Sequence, residues 1–193
     1  MKSSNQIIAL FGTSADPPTI GHKLILEELS KIYSSVVTYA SENPSKKHKE
    51  SLFFRSLLLR TLIKELSKPE IILNQELSSP YAIDTIRKAK KIYKCNKIDF
   101  VLGSDLLEEI FHWKNIKEIL QEAKLFIIPR KDYPIKSINF KGIEAFEANY
   151  QIAEFEIPKI SSTMIREESE HTFLPKSLIP IVKNNNLYKS HRM

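Results

Sequence analysis

Cysteine is almost absent from this chain, since Cys95 is the only one among its 193 residues. A single thiol excludes both a framework of disulfides and a cluster of thiolate metal ligands. No apolar run approaches the length of a membrane span, and the first six residues lack the apolar core of a signal peptide. We therefore expect a cytoplasmic protein with no membrane partner.

Glycine is scarce as well, with four residues, and we find no Gly-rich, low-complexity or repeated segment. No stretch has the composition of a linker between domains. A chain of 193 residues is long enough to bury one sizeable core, whereas two full domains would be cramped. We therefore expect a single domain that covers residues 1–193.

Acidic residues are in the minority, because 29 Lys and Arg against 23 Asp and Glu leave a formal net charge of +6. A basic chain suggests nucleic acid as a partner. The lysines are spread along the whole chain, however, and neither aromatic-interleaved basic repeats nor zinc or helix-turn-helix spacing is present. A basic surface would equally attract a polyphosphate. We therefore expect small-molecule substrates and no nucleic acid.

Apolar runs with the character of buried strands alternate with amphipathic stretches that have the spacing of helices. Such alternation along the whole chain predicts an α/β fold with a doubly wound parallel sheet. Residues 132–141 have the pattern of a surface loop. The predicted strands are 7–11, 35–40, 70–73, 98–102, 125–128 and 153–157, and the predicted helices are 20–33, 52–63, 80–93, two short ones flanking Trp113, 161–168 and 175–184.

The segment F-G-T-S-A-D-P-P-T-I-G-H, residues 11–22, joins the first predicted strand to the first predicted helix. Gly12 lacks a Cβ atom, so a ligand can approach the backbone closely or the chain can adopt a positive φ. Thr19 is a suitable helix N-cap, and His22 lies in the first helical turn, where free N–H groups favour an anion. Thr13 and Ser14 add two hydroxyl groups. The segment predicts a phosphate site, although a plain polar turn before a capped helix fits the same spacing.

A second strand-to-helix corner lies at I-S-S-T-M-I-R, residues 160–166. Ser161, Ser162 and Thr163 place hydroxyl and free N–H groups at a helix N-terminus. Arg166 follows about one turn later, so the corner can bind an anion by the same physical principle as the first. A serine-capped helix with an exposed arginine is the alternative.

Both corners resemble motifs of one protein family. The first is similar to G-T-x-x-D-P-x-[TH]-x-G-H, the signature of the nucleotidyltransferase superfamily of adenylyl and cytidylyl transferases, and the second matches I-S-S-T-x-I-R. Within the superfamily the chain most resembles the bacterial nicotinate-nucleotide adenylyltransferases. Phe11 replaces the usual first glycine, and Thr19 stands where many members have histidine. The resemblance implies a Rossmann-like nucleotidyltransferase fold and adenylyl transfer from ATP to nicotinate mononucleotide in NAD biosynthesis.

The resemblance also implies roles for individual residues toward ATP. His22 would contact the α-phosphate, while Arg166 with Ser161 and Ser162 would bind the β- and γ-phosphates. Mg²⁺ would be held mainly by the phosphates and water, without a metal site made of protein ligands. The expected ATP-binding residues are Gly12, Thr13, Ser14, Thr19, Lys49, Gly103, Asp105, Ile160, Ser161, Ser162 and Thr163.

Four further residues are expected to bind the mononucleotide. Trp113 occupies the position of a family tryptophan that stacks on the pyridine ring, although core packing would also account for a single tryptophan. Asp84 and Thr85 remain from the family motif S-Y-T-x-D-T, in which Pro80 and Ala82 replace the serine and the first threonine. The fourth is Arg130, which matches the arginine of V-x-x-R-P-G.

Several alternatives remain open on the sequence alone. A related adenylyltransferase could use nicotinamide mononucleotide or pantetheine phosphate through the same motifs. An alternative from another functional class is a non-catalytic protein that binds nucleotides or nucleic acid. The chain could also form a homo-oligomer, on which the sequence is silent.

Overall fold

In the computed structural model, which describes residues 6–44, 46–168 and 171–188, six strands are interleaved with seven α-helices. The strands are β1 (Ile7–Thr13), β2 (Val36–Ala40), β3 (Ile71–Leu73), β4 (Lys97–Gly103), β5 (Lys124–Ile128) and β6 (Tyr150–Ile152). The helices are α1 (Ile20–Ile32), α2 (Leu52–Leu66), α3 (Ala82–Tyr93), α4 (Ile116–Glu122), α5 (Ser137–Ala145), α6 (Ser162–Glu168) and α7 (Ile179–Asn184).

The six strands form one parallel sheet in the order β3-β2-β1-β4-β5-β6. The chain moves outward from β1 to β3 and then returns to place β4 on the other side of β1. This reversal is the topological switch point, outside whose carboxyl strand ends ligands bind in open α/β sheets. The predicted doubly wound parallel sheet is confirmed.

Both faces of the sheet are buried, and β1 shows this most clearly. Ala9 and Phe11 belong to the core beneath α1 and α2, whereas Ile8 and Leu10 belong to the core beneath α3 and α4. A strand covered on both sides has no solvent face, so its sequence is a continuous apolar run. The run 7–11 was recognisable as a strand for this reason.

Helix α1 begins where the sequence predicts. The Thr19 hydroxyl accepts from the backbone N–H of His22, and the Thr19 backbone N–H donates to the imidazole, which together form a capping box. Leu26 and Leu29 are fully buried on the inner face of the helix. Within the three described ranges, no helix has both the length and the apolar character needed to cross a membrane.

Two predicted elements are wrong. Residues 132–141 are not a loop throughout, because α5 begins at Ser137; its Ile143 is fully buried and Phe140 packs against the same core. The sixth strand is Tyr150–Ile152 rather than 153–157. Gln151 and Ile152 are exposed at the sheet edge, so this strand has no apolar run to reveal it, whereas the buried Ala153 and Ile157 lie beyond it.

Candidate active site

A cleft of about 1190 Å³ opens at the carboxyl ends of the central strands, at the topological switch point. Gly12 and Thr13 from β1, Gly103 from β4 and Arg130 after β5 all line it. Its volume exceeds that of most small-ligand pockets. The cleft is therefore the candidate site for ligand binding.

The first corner forms one wall of this cleft, and packing places a further constraint on Gly12. No described glycine has a positive φ, and the left-handed residue of the turn is Ala15, with φ 48°. A Cβ atom on Gly12 would instead collide with the phenol ring of Tyr39. Glycine is required here because the Tyr39 ring lies against the backbone of β1.

The imidazole of His22 lies in the cleft with one nitrogen already in use. Nδ1 is 3.0 Å from the backbone N of Thr19 and 2.9 Å from the Thr19 hydroxyl oxygen. Because Nδ1 accepts a hydrogen bond from the Thr19 backbone N–H, the neutral ring carries its own proton on Nε2. Burial, and then the positive charge of Arg130, lower the pKa of His22 to about 4. His22 is therefore a neutral N–H donor at physiological pH.

The second corner reaches the first across the cleft. The Ser162 hydroxyl donates to the backbone carbonyl of Pro17 at 2.8 Å, and one Nη of Arg166 donates to the carbonyl of Asp16 at 2.6 Å. These pairs are 145 and 150 residues apart in the chain. The other Nη of Arg166 donates to the Thr163 hydroxyl at 2.9 Å. His22 and Arg166 thus line one cleft.

A third group of cleft residues connects β4 and β5 to the second corner. The Arg130 guanidinium donates to the Asp105 carboxylate at 2.9 Å and to the carbonyl of Ile160 at 3.1 Å. A Cβ atom on Gly103 would collide with the Asp105 carboxylate and come within 3.0 Å of the Arg130 side chain. The glycine therefore leaves space for this ion pair. Arg130 serves as a bridge within the protein, which the sequence did not suggest.

We call Tyr81, Trp113 and Lys114 the aromatic end of the cleft, and the two strand-to-helix corners its motif end. The Trp113 ring meets Phe100 edge-on, with 6.1 Å between ring centroids. The Lys114 ammonium lies 4.0 Å from the centroid of the Tyr81 ring, a cation–π contact that joins two segments of the chain. Trp113 is half-buried, so it packs on the core with one edge and faces the cleft.

Most of the predicted site residues line the cleft, and three do not. Thr19 is fully buried as the N-cap of α1, so it acts on the cleft only through His22. The Lys49 side chain is exposed outside the cleft. Asp84 lies on a separate shallow groove of α3, because one helical residue turns the side chain about 100° away from Thr85, which does line the cleft. The structure therefore places the side chains of Lys49 and Asp84 outside the cleft, and their ligand contacts stay predictions.

Other residues of the cleft were not predicted. Lys46 and Lys47 line it in place of Lys49, and the basic run was visible in the sequence without indicating which lysine faces inward. Lys114 follows Trp113 directly, which could have drawn attention to it. Asp16 is the aspartate of the first motif but was not assigned a role, and Arg55, which lies outside the cleft, gave no signal because a buried charge looks like a surface charge in a sequence.

The donor set does not resemble a protein-held metal site. In the described part of the chain, no group of three or more His, Cys, Asp or Glu side chains could hold a metal ion. The Asp105 carboxylate is paired with Arg130, and the Asp16 carboxylate accepts backbone N–H groups from the loop before α2.

Comparison with known proteins assigns a family model to most of the chain. Residues 10–168 match the model described as Cytidylyltransferase-like. A protein of Aliarcobacter butzleri named "Probable nicotinate-nucleotide adenylyltransferase" is 32% identical, over 89% of this chain and 92% of that relative. A protein of Synechocystis with the same name is 28% identical, over 94% of this chain and 98% of the relative.

Solved structures with a similar fold include two of Plasmodium falciparum nicotinic acid mononucleotide adenylyltransferase. The one complexed with NaAD has a TM-score of 0.78, and the one complexed with APC has a TM-score of 0.74. Each is 22% identical and covers 95% of this chain and 98% of its own. At this identity the likeness concerns the fold alone.

Proposed function

This chain belongs to the cytidylyltransferase-like family, among the nicotinate-nucleotide adenylyltransferases, and from that premise we propose how its cleft acts. The protein transfers the adenylyl group of ATP to nicotinate mononucleotide. The products are nicotinate adenine dinucleotide and pyrophosphate, and the reaction belongs to NAD biosynthesis.

The observation that carries the proposal is the meeting of the two corners in one cleft. The contacts from Ser162 to Pro17 and from Arg166 to Asp16 bring both helix N-termini to the same cavity. Each corner offers hydroxyl and N–H groups together with a side-chain donor, which suits a chain of phosphates. We assign the triphosphate of ATP to this motif end.

The reaction needs no covalent intermediate and no general base. A phosphate oxygen of the mononucleotide attacks the α-phosphorus of ATP, and the bond from that phosphorus to the β-phosphate oxygen breaks as pyrophosphate leaves. The attacking phosphate is already an anion, so catalysis rests on positioning and on stabilising charge. The Nε2–H of His22 donates to the α-phosphate. Arg166, with the hydroxyls of Ser161 and Ser162, neutralises the leaving pyrophosphate.

Magnesium accompanies ATP in this proposal and neutralises part of the charge on the phosphates when it is bound. The carboxylates of Asp16 and Asp105 are engaged within the protein, so they do not form a separate metal cage. Gly12, Thr13 and Ser14 then face the triphosphate, while Gly103 and Asp105 approach the adenosine half.

The aromatic end supports a pyridine mononucleotide as the second substrate. Trp113 offers a flat ring for stacking, and Lys114 adds a cation beside it. Thr85 lines the cleft near Tyr81. A cation near the ring favours the negatively charged nicotinate over the neutral nicotinamide.

A panel of substrates tests the proposed function. Pyrophosphate release is measured with ATP and each of nicotinate mononucleotide, nicotinamide mononucleotide and phosphopantetheine, with product identified by mass. We expect the highest kcat/KM with nicotinate mononucleotide. A higher value with another phosphomonoester would support that sister activity instead, and no release with any of them would support a non-catalytic nucleotide-binding protein.

A different class of function, nucleic-acid binding, is tested separately. Binding of random DNA and RNA is followed in rising salt beside binding of ATP. A nucleic-acid affinity that falls steeply with salt, in a protein that does not bind ATP, would favour a nucleic-acid-binding function. We propose small-molecule partners, a cytoplasmic location and, as an open prediction for size measurement in solution, a homo-oligomer.

A further inference from the structure

Arg55 lies behind the cleft and ties together three segments around it. The side chain comes from the first turn of α2 and is 2% exposed. One Nη donates to the carbonyls of Ser14 and Ser41, each at 2.8 Å, and Nε donates to the carbonyl of Glu50 at 3.2 Å. Ser14 follows β1, Ser41 follows β2, and Glu50 precedes α2. One guanidinium therefore holds the ends of two strands and a loop.

Asp16 and Arg55 bind the same peptide segment, because the Asp16 carboxylate accepts from the backbone N–H of Glu50 and Nε of Arg55 donates to the Glu50 carbonyl. Carbonyl oxygens satisfy the N–H groups of Arg55 but do not cancel its charge, and an uncompensated charge in the interior is costly. The Asp16 side chain is also 2% exposed. Burial lowers the pKa of Arg55, and the Asp16 carboxylate opposes that shift as the largest favourable influence.

The same aspartate contacts both phosphate-facing elements. Its carboxylate accepts from the backbone N–H groups of Lys49 at 2.6 Å and Glu50 at 3.2 Å. Its backbone carbonyl accepts from Arg166 at 2.6 Å. Asp16 thus holds the end of the loop that carries Lys46 and Lys47 into the cleft, and it also orients Arg166.

We propose that Asp16 and Arg55 form a buried positioning pair, which sets the placement of the basic loop and of Arg166 for the triphosphate. Neither residue has to touch the reacting atoms. Phosphate donors that are held in place before ATP arrives bind it without a cost of reorganisation. The pair should therefore act on ATP and leave the mononucleotide largely unaffected. This inference rests on the proposed function for its substrates.

The first test is Asp16→Asn, which keeps the size of the side chain and removes its charge. We measure the ATP Kd by calorimetry without mononucleotide, KM for both substrates, and the midpoint of thermal unfolding. The expected result is an ATP Kd and KM about tenfold higher, in line with the cost of small misplacements in active sites, with KM for the mononucleotide within about threefold. The dependence of ATP affinity on salt should also become shallower, because the loop lysines lose their placement.

Glu65→Gln is the matched control. Glu65 pairs with Lys23 at 2.6 Å, joins α1 to α2 and does not line the cleft. This variant loses an ion pair and some stability, and its ATP Kd should stay within about twofold of the original protein. An Asp16→Asn protein with unchanged ATP Kd would overturn the inference. An equal rise in both KM values, with unaltered salt dependence, would overturn it too, because that pattern indicates a merely structural role.

Arg55→Lys keeps the inference testable if Asp16→Asn does not fold. Lysine retains the charge but lacks the planar fork that reaches three carbonyls. We expect a weaker ATP Kd together with some loss of stability, because buried hydrogen bonds of Arg55 are lost, and an unchanged Kd would refute the positioning role. If the protein with all its native residues binds ATP but transfers nothing to any mononucleotide, the proposed function fails, whereas a selective loss of ATP affinity in these variants still supports the pair.

Discussion

The motif end and the aromatic end of the cleft are stabilised in different ways. At the motif end, Arg166 and Ser162 donate to carbonyls of the first corner, and the buried Arg55 donates to the Ser14 carbonyl of the same corner. At the aromatic end, the Trp113 ring makes an edge contact with Phe100, and the Lys114 ammonium makes a cation–π contact with Tyr81, which is 39% exposed. The donors of the motif end are thus held by hydrogen bonds between distant segments, whereas the side chains of the aromatic end are held by ring contacts alone.

The largest expected effect is the loss of turnover when His22 at the motif end is replaced. Without that loss, the motif end would not serve the chemical step. His22→Ala removes the Nε2–H donor and should raise the barrier by about 2.7–4 kcal/mol, as loss of one oxyanion donor does, with kcat reduced about 10²- to 10³-fold. Steady-state turnover with saturating substrates measures it. His22→Gln, which keeps an N–H group near the same place, should recover part of the activity. Unchanged turnover in His22→Ala would exclude this residue from the α-phosphate contact.

At the aromatic end, Trp113→Ala should act on binding rather than on the chemical step. Loss of a stacking platform costs about 1–3 kcal/mol per base, so KM for the mononucleotide should rise roughly 5- to 150-fold. KM for ATP should change little. Trp113→Phe is the control and should retain most of the affinity. A fall in kcat with no change in either KM would mean that both ends serve the same step.

The lowered pKa of His22 makes the stability of the motif end depend on pH. Its pKa is about 4 in the folded protein against an ordinary value of 6.5, so the unfolded chain binds more protons between these values. The free energy of unfolding should therefore fall as pH drops from 6.5 toward 4, by on the order of 1–2 kcal/mol near pH 5. Above pH 7 His22 is neutral in both states, so this destabilisation is absent. Denaturant unfolding of the original protein and of His22→Gln at each pH measures the difference. Parallel curves for the two proteins would show that His22 does not titrate this way.

The smallest effect is expected from Lys114→Ala. An exposed ion pair contributes about 0.2–1 kcal/mol, so the preference for nicotinate over nicotinamide mononucleotide should fall by no more than about fivefold. The measurement is the ratio of the two kcat/KM values. Lys117→Ala is the matched control, since this lysine lies 5.9 Å from the Phe146 ring and outside the cleft. An equal change in both variants would assign the effect to surface charge in general.

The predictions from the sequence were most accurate where the local pattern and the tertiary role coincide. Strand β1 and the start of α1 are such cases, because a strand buried on both faces is apolar throughout and a capping threonine bonds within its own turn. They failed where a residue's role depends on its surroundings. Asp84 and Thr85 are neighbours in the sequence, yet only Thr85 lines the cleft.

The loop before α2 gives the same lesson. A run of lysines indicates a basic segment, but the lysine that faces the phosphates depends on where the segment is anchored. Asp16 binds the backbone of Lys49, which leaves that side chain outside and places Lys46 and Lys47 inside. No spacing rule connects an aspartate to a loop more than thirty residues later.

By itself, the sequence determined the alternation of strands and helices, the two corner motifs and the family, because these depend on local patterns of burial, capping and residue type. Only the tertiary structure decided that the corners share a cleft, that His22 is neutral and that the buried Arg55 binds the first corner. Those properties arise from contacts between distant segments, where burial and charge act on atoms that the chain brings together only by folding.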